Sequence, residues 1–414
     1  MGVVFWDVIE EHLDEAEFLW TQWERALTAH DDTLDGIEER LEERLFANVD
    51  GLVSGGDPVR EKVLLPALEE AEGPARIAAA YALAVSNSGD ARAAVIAKLA
   101  DPAARADVER ALGLATSEGL TNALVAALHG EATELRAGAL STLAFRGEVP
   151  PLAPVIAADP DDLVIATLRS AAFTGDKTQT ALAKDALAAT SPDVRVAAIE
   201  AGLTLGLPEA WSACRRLVED ASAETPIGLL APPLAWTAML GDARDVELLV
   251  FALGLAPHRP AALRALGISG RVAAAEACMP WMDDRDVGPL AADAFVAITG
   301  MPLDPSMIAA PTEADEAEPR PLPRLRRAAL DAWWTQNQGR FHRTRRTLLG
   351  RAATFDTITA LLASAPMRRR APIAEELRIR SRARSSVQTR AFTARQRSEI
   401  AKLTPPALPF DQPF

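Results

Sequence analysis

Eight glycines recur along this 414-residue chain at nearly even intervals: Gly89, Gly119, Gly147, Gly175, Gly206, Gly241, Gly270 and Gly300. The gaps are 30, 28, 28, 31, 35, 29 and 30 residues. A period near thirty marks stacked helical hairpins, because so short a unit cannot bury its own apolar face and must lean on its neighbours. A hydrophobic content of 49% supplies the core, and a stack grows in one dimension past the size at which a single globular core stops enlarging. The expected fold is therefore all-α, an α/α superhelix of about eight hairpins.

The clearest unit runs from Ser191 to Glu219. Ser191 is suited to cap a helix, Pro192 to its first turn, and Asp193 to the positive helix end. Val194, Ala197, Ala198, Ala201 and Leu205 line one stripe, and Gly206 tolerates the left-handed backbone that ends a helix. Pro208 then opens a second helix with Trp211, Cys214, Leu217 and Val218 on one side.

Four segments follow from composition. Residues 1–57 read as an N-terminal helical cap: one helix, a break at His30 to Thr33, a second helix from Leu34 to about Ala47, and a loop from Asp50 to Asp57. Residues 58–301 are the solenoid. Residues 302–323, with six prolines and the acidic run Glu313 to Glu318, read as a linker. Residues 324–414 read as a basic helical domain with an extended tail from Leu403.

Charge divides the chain. Residues 320–414 hold 20 basic and 6 acidic side chains, a balance of +14, whereas residues 1–319 hold 23 and 52, a balance of −29. Lys402 is the only lysine in the basic part. Arginine favours planar, forked contacts to carboxylate or phosphate. The candidate partner-binding residues are Arg340, Arg343, Arg345, Arg346, Arg368, Arg369, Arg370, Arg380, Arg382 and Arg384. Their chemistry leaves three destinations open: nucleic acid, an acidic partner protein, or the chain's own acidic repeats.

Signatures of catalysis are missing from the sequence. No P-loop, paired-glycine dinucleotide fingerprint, HExxH or GxSxG stands in a usable context. His12, His30, His129, His258 and His342 are scattered without ligand spacing, so no metal or cofactor is expected. Cys214 and Cys278 read as small buried apolar groups in a reducing compartment. With no basic signal region at the start and no apolar run of ~20 residues, the chain is expected to be cytoplasmic and not membrane-inserted.

Several stretches together resemble an uncharacterised bacterial family of HEAT-type repeat proteins encoded beside type VI secretion genes. They are His12 to Trp20 (HLDEAEFLW), Asp193 to Gly206 (DVRVAAIEAGLTLG) and Ala291 to Leu303 (AADAFVAITGMPL). Trp333-Trp334, Gly339-Arg340-Phe341 and Leu348-Leu349-Gly350 also match. The resemblance implies a HEAT-like solenoid and, through its gene neighbourhood, an accessory place in a type VI secretion-like assembly; the repeat period and the divided charge point to a non-enzymatic scaffold or adaptor that binds protein partners. The short repeat is also similar to that of phycobilisome lyases, which makes a bilin-lyase-like enzyme a further alternative beside nucleic-acid binding.

Overall fold

Helices account for nearly all of the regular structure. The computed structural model describes residues 4–310 and 321–414, and these are all-α apart from one hairpin, Thr347–Leu348 paired antiparallel with Arg351–Ala352. The middle of the expected linker, 311–320, lies outside the described residues. On either side of it the chain pairs with itself, Ala309 N–H donating to the Arg324 carbonyl and Arg326 N–H to Met307.

A first helix recurs in every repeat: Gly73–Val85, Arg105–Leu114, Thr133–Arg146, Asp161–Thr174, Pro192–Leu205, Ile227–Leu240, Arg259–Ser269 and Gly288–Thr299. These helices are buried on most sides, and in Gly73–Val85 every residue from Arg76 to Ala84 is buried. The sequences of Gly73–Val85 and Ile227–Leu240 are consequently apolar nearly all round rather than striped. The second helices are Gly89–Ala97, Leu120–Leu128, Thr180–Ala186, Pro208–Glu219, Asp245–Gly254 and Val272–Cys278. After Thr133–Arg146 no second helix forms, and residues 148–156 carry neither helix nor strand. Pro150, Pro151 and Pro154 explain the gap, since each removes a backbone donor and clashes with a preceding helical turn.

The glycine ladder has a mixed geometry. Gly147, Gly175, Gly206, Gly270 and Gly300 follow first helices with positive φ, as a helix-ending residue requires. Gly89 instead opens a second helix, and Gly241 is extended.

The chain divides into two compact units. One comprises Met1–Ala201, Pro366–Arg368 and Val387–Lys402; the other comprises Gly202–Ala365, Arg369–Ser386 and Leu403–Phe414. Residues 324–414, expected as a domain of their own, are thus distributed over both. The reason is apolar surface: the arginine-rich helices carry too little to close a core alone, so they complete cores built by the repeats. Met367 and Ala391 join the core of the first unit, while Leu330 and Trp334 join that of the second.

In the first unit, Trp6–Ala26 packs on Glu43–Ser54 and Gly73–Val85, and the packing continues through Arg105–Leu114 and Thr133–Arg146 to Asp161–Thr174. Trp20 and Trp23 are fully buried, with ring centroids 5.9 Å apart. The loop expected at Asp50 to Asp57 is not there. Glu43–Ser54 runs straight through Gly51, and helix resumes at Gly56–Val59. Gly51 serves a close approach rather than a break, because a Cβ there would lie 2.6 Å from His12 Nε2.

In the second unit, Ile227–Leu240, Arg259–Ser269 and Gly288–Thr299 pack in succession. Phe295 meets the rings of Trp333 and Trp334 edge-on at 6.1 and 5.4 Å. Cys214 and Cys278 are fully buried, and burial pushes both thiols up, Cys214 to about 12.

Candidate functional site

An α-helix leaves its last four carbonyls without intrahelical donors and carries partial negative charge at that end. Repeats of fixed length place many such ends together, and the arginines of the basic region are directed at them. In the second unit, Arg346 Nε donates to the Ser269 carbonyl at 2.8 Å, and its Nη1 donates to Met239 at 3.1 Å and to Phe410 at 3.0 Å. Arg380 Nη2 donates to the same Met239 carbonyl at 2.7 Å, and its Nη1 to Pro409 and Gln412. Arg382 Nη1 donates to Leu203 at 2.7 Å, at the end of Pro192–Leu205.

Two cations side by side need a counter-charge. Glu376 supplies it, holding Arg346 through both carboxylate oxygens and accepting from Arg380 Nε at 2.7 Å. Burial pushes the Glu376 carboxyl up, but the Arg346 and Arg380 guanidiniums together outweigh burial and leave it below its ordinary value. Burial lowers the Arg380 guanidinium against the opposing pull of Glu376.

The adjacent hairpin adds a backbone donor to the Arg259–Ser269 end and finishes one further end, that of Gly288–Thr299. Thr347 N–H donates to the Gly270 carbonyl at 2.7 Å, Leu349 N–H to Ala297 at 2.7 Å, and Gly350 N–H to Ile298 at 3.0 Å. So close an approach needs glycine beneath it. A Cβ on Gly300 would lie 2.3 Å from the Leu349 oxygen.

The first unit repeats the theme with different residues. Arg395 Nη2 donates to the Phe145 carbonyl at 2.8 Å, and Arg146 Nη1 to Leu112 at 3.2 Å. The short helix Thr393–Ile400 begins on the buried Glu42 carboxylate, which accepts from Thr393 N–H and Oγ1 and from Trp23 Nε1. Burial raises the Glu42 carboxyl, and the Thr393 and Trp23 donors oppose it. Arg397 pairs with Asp35 and Glu38, and Arg390 with Glu24 at 3.0 Å.

Beside this helix lies a cavity of about 440 Å³. Phe46, Tyr81 and Phe392 line one side, and Arg146, Glu148 and Arg395 the other. Phe392 sits 4.8 Å from Phe46 and 5.8 Å from Tyr81, centroid to centroid. Tyr81 is the only tyrosine of the chain, and burial pushes its hydroxyl up.

The ten candidate arginines therefore have unequal surroundings. Arg346, Arg370 and Arg380 are buried; Arg370 Nε donates to Leu362 at 2.7 Å, and burial lowers that guanidinium to about 10. Arg369 is half-buried on Asp293, Nη1 to Oδ2 at 3.0 Å, and Arg382 is half-buried at its helix end. The Arg368 N–H donates to the Ala29 carbonyl, and Arg384 Nε donates to Ser381. Arg340, which ends the short turn Gln338–Arg340 and donates to Asn337, is exposed, as are Arg343, Arg345 and His342 on the loop between it and the hairpin. Arg343 reaches only a distant 3.8 Å contact with Glu276, at 80% exposure.

Sequence reasoning missed Glu376, Glu42, Thr393 and Phe392. A signal for Glu376 was present: Glu375-Glu376 is the only acidic pair within an otherwise arginine-rich run, four residues before Arg380. Nothing local marked Glu42, whose partners Trp23 and Thr393 are 19 and 351 residues away.

Among the described residues no cluster of three or more His, Cys, Asp or Glu side chains is placed to hold a metal ion. Nor is any single helix there long and apolar enough to cross a membrane. No family model and no curated protein matches the chain. Among solved structures it is similar to human deoxyhypusine hydroxylase in complex with glycerol, at 19% identity and a TM-score of 0.23, covering 70% of this chain and 97% of that one. It is also similar to an engineered protein, at 17% identity and a TM-score of 0.25, covering 89% of this chain and 99% of that one.

Proposed function

We propose that the protein is a non-enzymatic helical-repeat scaffold that holds an acidic protein partner through the exposed loop arginines Arg340, Arg343 and Arg345. The observation that carries the reading is the unequal use of arginine. In the second unit Arg346, Arg369, Arg380 and Arg382 engage helix-end carbonyls or carboxylates of the chain itself, while three arginines with His342 face solvent on one loop. Three exposed guanidiniums suit a short acidic segment. They are few for a nucleic-acid backbone, where each neutralised phosphate adds about one unit to the salt dependence. The resemblance to repeat proteins encoded beside type VI secretion genes suggests the components or cargo of such an assembly as the place to seek the partner.

The test is affinity capture from the native host with the full chain and with the triple variant R340E/R343E/R345E, followed by binding measurements on the purified partner. The expected result is a partner retained by the native protein and lost by at least tenfold in the variant, with unchanged circular dichroism. Equal retention by both proteins overturns the reading.

A further inference from the structure

We infer that the cavity beside Tyr81 in the first unit binds a ring-bearing carboxylate, with the ring against Phe46, Tyr81 and Phe392 and the carboxylate on Arg395. The volume, about 440 Å³, falls within the range of small-ligand sites. One side is aromatic and already organised: Phe392 is held by Trp23 at 4.9 Å as well as by Phe46 and Tyr81, so an incoming ring meets fixed faces and edges.

The sign of the polar partner follows from which groups are already engaged. Every acceptor identified on the other side has its donor. Glu148 Oε2 accepts from Thr121 Oγ1 at 2.5 Å and from Arg146 Nε at 2.8 Å, and Oε1 accepts from Arg146 Nη2 at 3.3 Å. Arg146 also covers the Leu112 carbonyl, and Arg395 Nη2 covers Phe145. Donors remain. Among the described residues Arg395 uses Nε on Glu399 and Nη2 on Phe145, leaving Nη1, and the hydroxyls of Tyr81 and the rim residue Thr116 make no hydrogen bond. A cavity with aromatic faces, filled acceptors and open donors takes an acceptor-bearing ring. Arg146 is paired with Glu148 and Arg395 with Glu399, so the guest's acceptor is held by hydrogen bonds from Arg395 Nη1 and the two hydroxyls rather than by an unpaired charge.

The same chemistry is presented by a free aromatic acid and by the C-terminal aromatic residue of a peptide. The test titrates the full-length protein by calorimetry with N-acetylphenylalanine, its C-terminal amide, and a short peptide ending in phenylalanine as acid or amide. Trp20, 5.5 Å from the Tyr81 ring, provides a fluorescence readout. The expected result is saturable binding of at least one acid, at least tenfold weaker binding of the matching amide, and a loss of fivefold or more in Y81F or R395Q with none in R351Q, at an exposed arginine of the second unit. A peptide acid that binds more tightly than the free acid identifies a partner's tail, and the reverse identifies a small metabolite-like acid. The acid and amide comparison needs no variant, so it decides even where R395Q fails to fold. Equal binding of acid and amide, or no saturable binding of either acid, overturns the inference.

Discussion

Arg346 and Glu376 form a forked ion pair with side chains only 2% and 3% exposed, and Arg380, at 1%, shares the same carboxylate. Water contributes almost nothing to their solvation, so each depends on the others. Replacing Glu376 by glutamine leaves two guanidiniums facing each other without a counter-charge. The expected loss is about 3–5 kcal/mol, larger than for R380M, in which Glu376 keeps Arg346. Exchanging all three for apolar residues is not expected to restore stability, because the Met239 and Ser269 carbonyls would lose their donors as well. Urea denaturation of the four proteins checks the order.

Gly300 and Gly89 belong to the same glycine ladder, but one ends a first helix and the other opens a second, and they are expected to respond in opposite directions to alanine. At Gly300 φ is +63° and a Cβ would meet the Leu349 oxygen, so G300A is expected to cost at least ~1–3 kcal/mol. Gly89 has open space around it and begins a helix, so G89A is expected to be neutral or to gain up to about 1 kcal/mol. Thermal melts of the two variants measured side by side separate the cases.

Glu109 links stability to pH. Burial holds its carboxyl at about 7, against the pull of Arg105 and Arg169. The folded state therefore keeps a proton that the unfolded chain releases near 4.5, and stability falls as pH rises from 4.5 to 7. One proton sets the ceiling at about 1.4 kcal/mol per pH unit. E109Q is expected to flatten this part of the profile and to exceed the native protein in stability at pH 8. Chemical denaturation at pH 5 and pH 8 gives the comparison.

Glu42 fastens the start of Thr393–Ile400. E42L removes the acceptor for two Thr393 donors and for Trp23, and a capping loss of this kind costs about 1–2 kcal/mol. Hydrogen exchange is expected to accelerate in residues 387–402 of the variant before it does so in the Gly73–Val85 helix. Uniform acceleration across both would mean that the contact serves the whole unit rather than this helix.

The all-α repeat was legible because its cause is local: glycine at a helix end and apolar residues at helical spacing act within one hairpin. The unequal environments of the arginines were not legible, because they depend on what lies opposite each side chain. Arg345 and Arg346 are neighbours in sequence, yet one is exposed and the other reaches carbonyls 77 and 107 residues away. Gly51 misled for a related reason. Glycine reads as a loop residue, and only the position of His12 reveals a helix crossing. The cavity combines both difficulties, since Tyr81 and Phe392 come from distant stretches that no short motif unites.

Protein synthesis proceeds in one direction, and in the second unit the repeats leave the ribosome before the arginines and the hairpin that complete them. Until residues 346–382 emerge, the ends at Leu203, Met239 and Ser269 have only water for company. A chain interrupted in that interval would display bare carbonyls and open apolar seams.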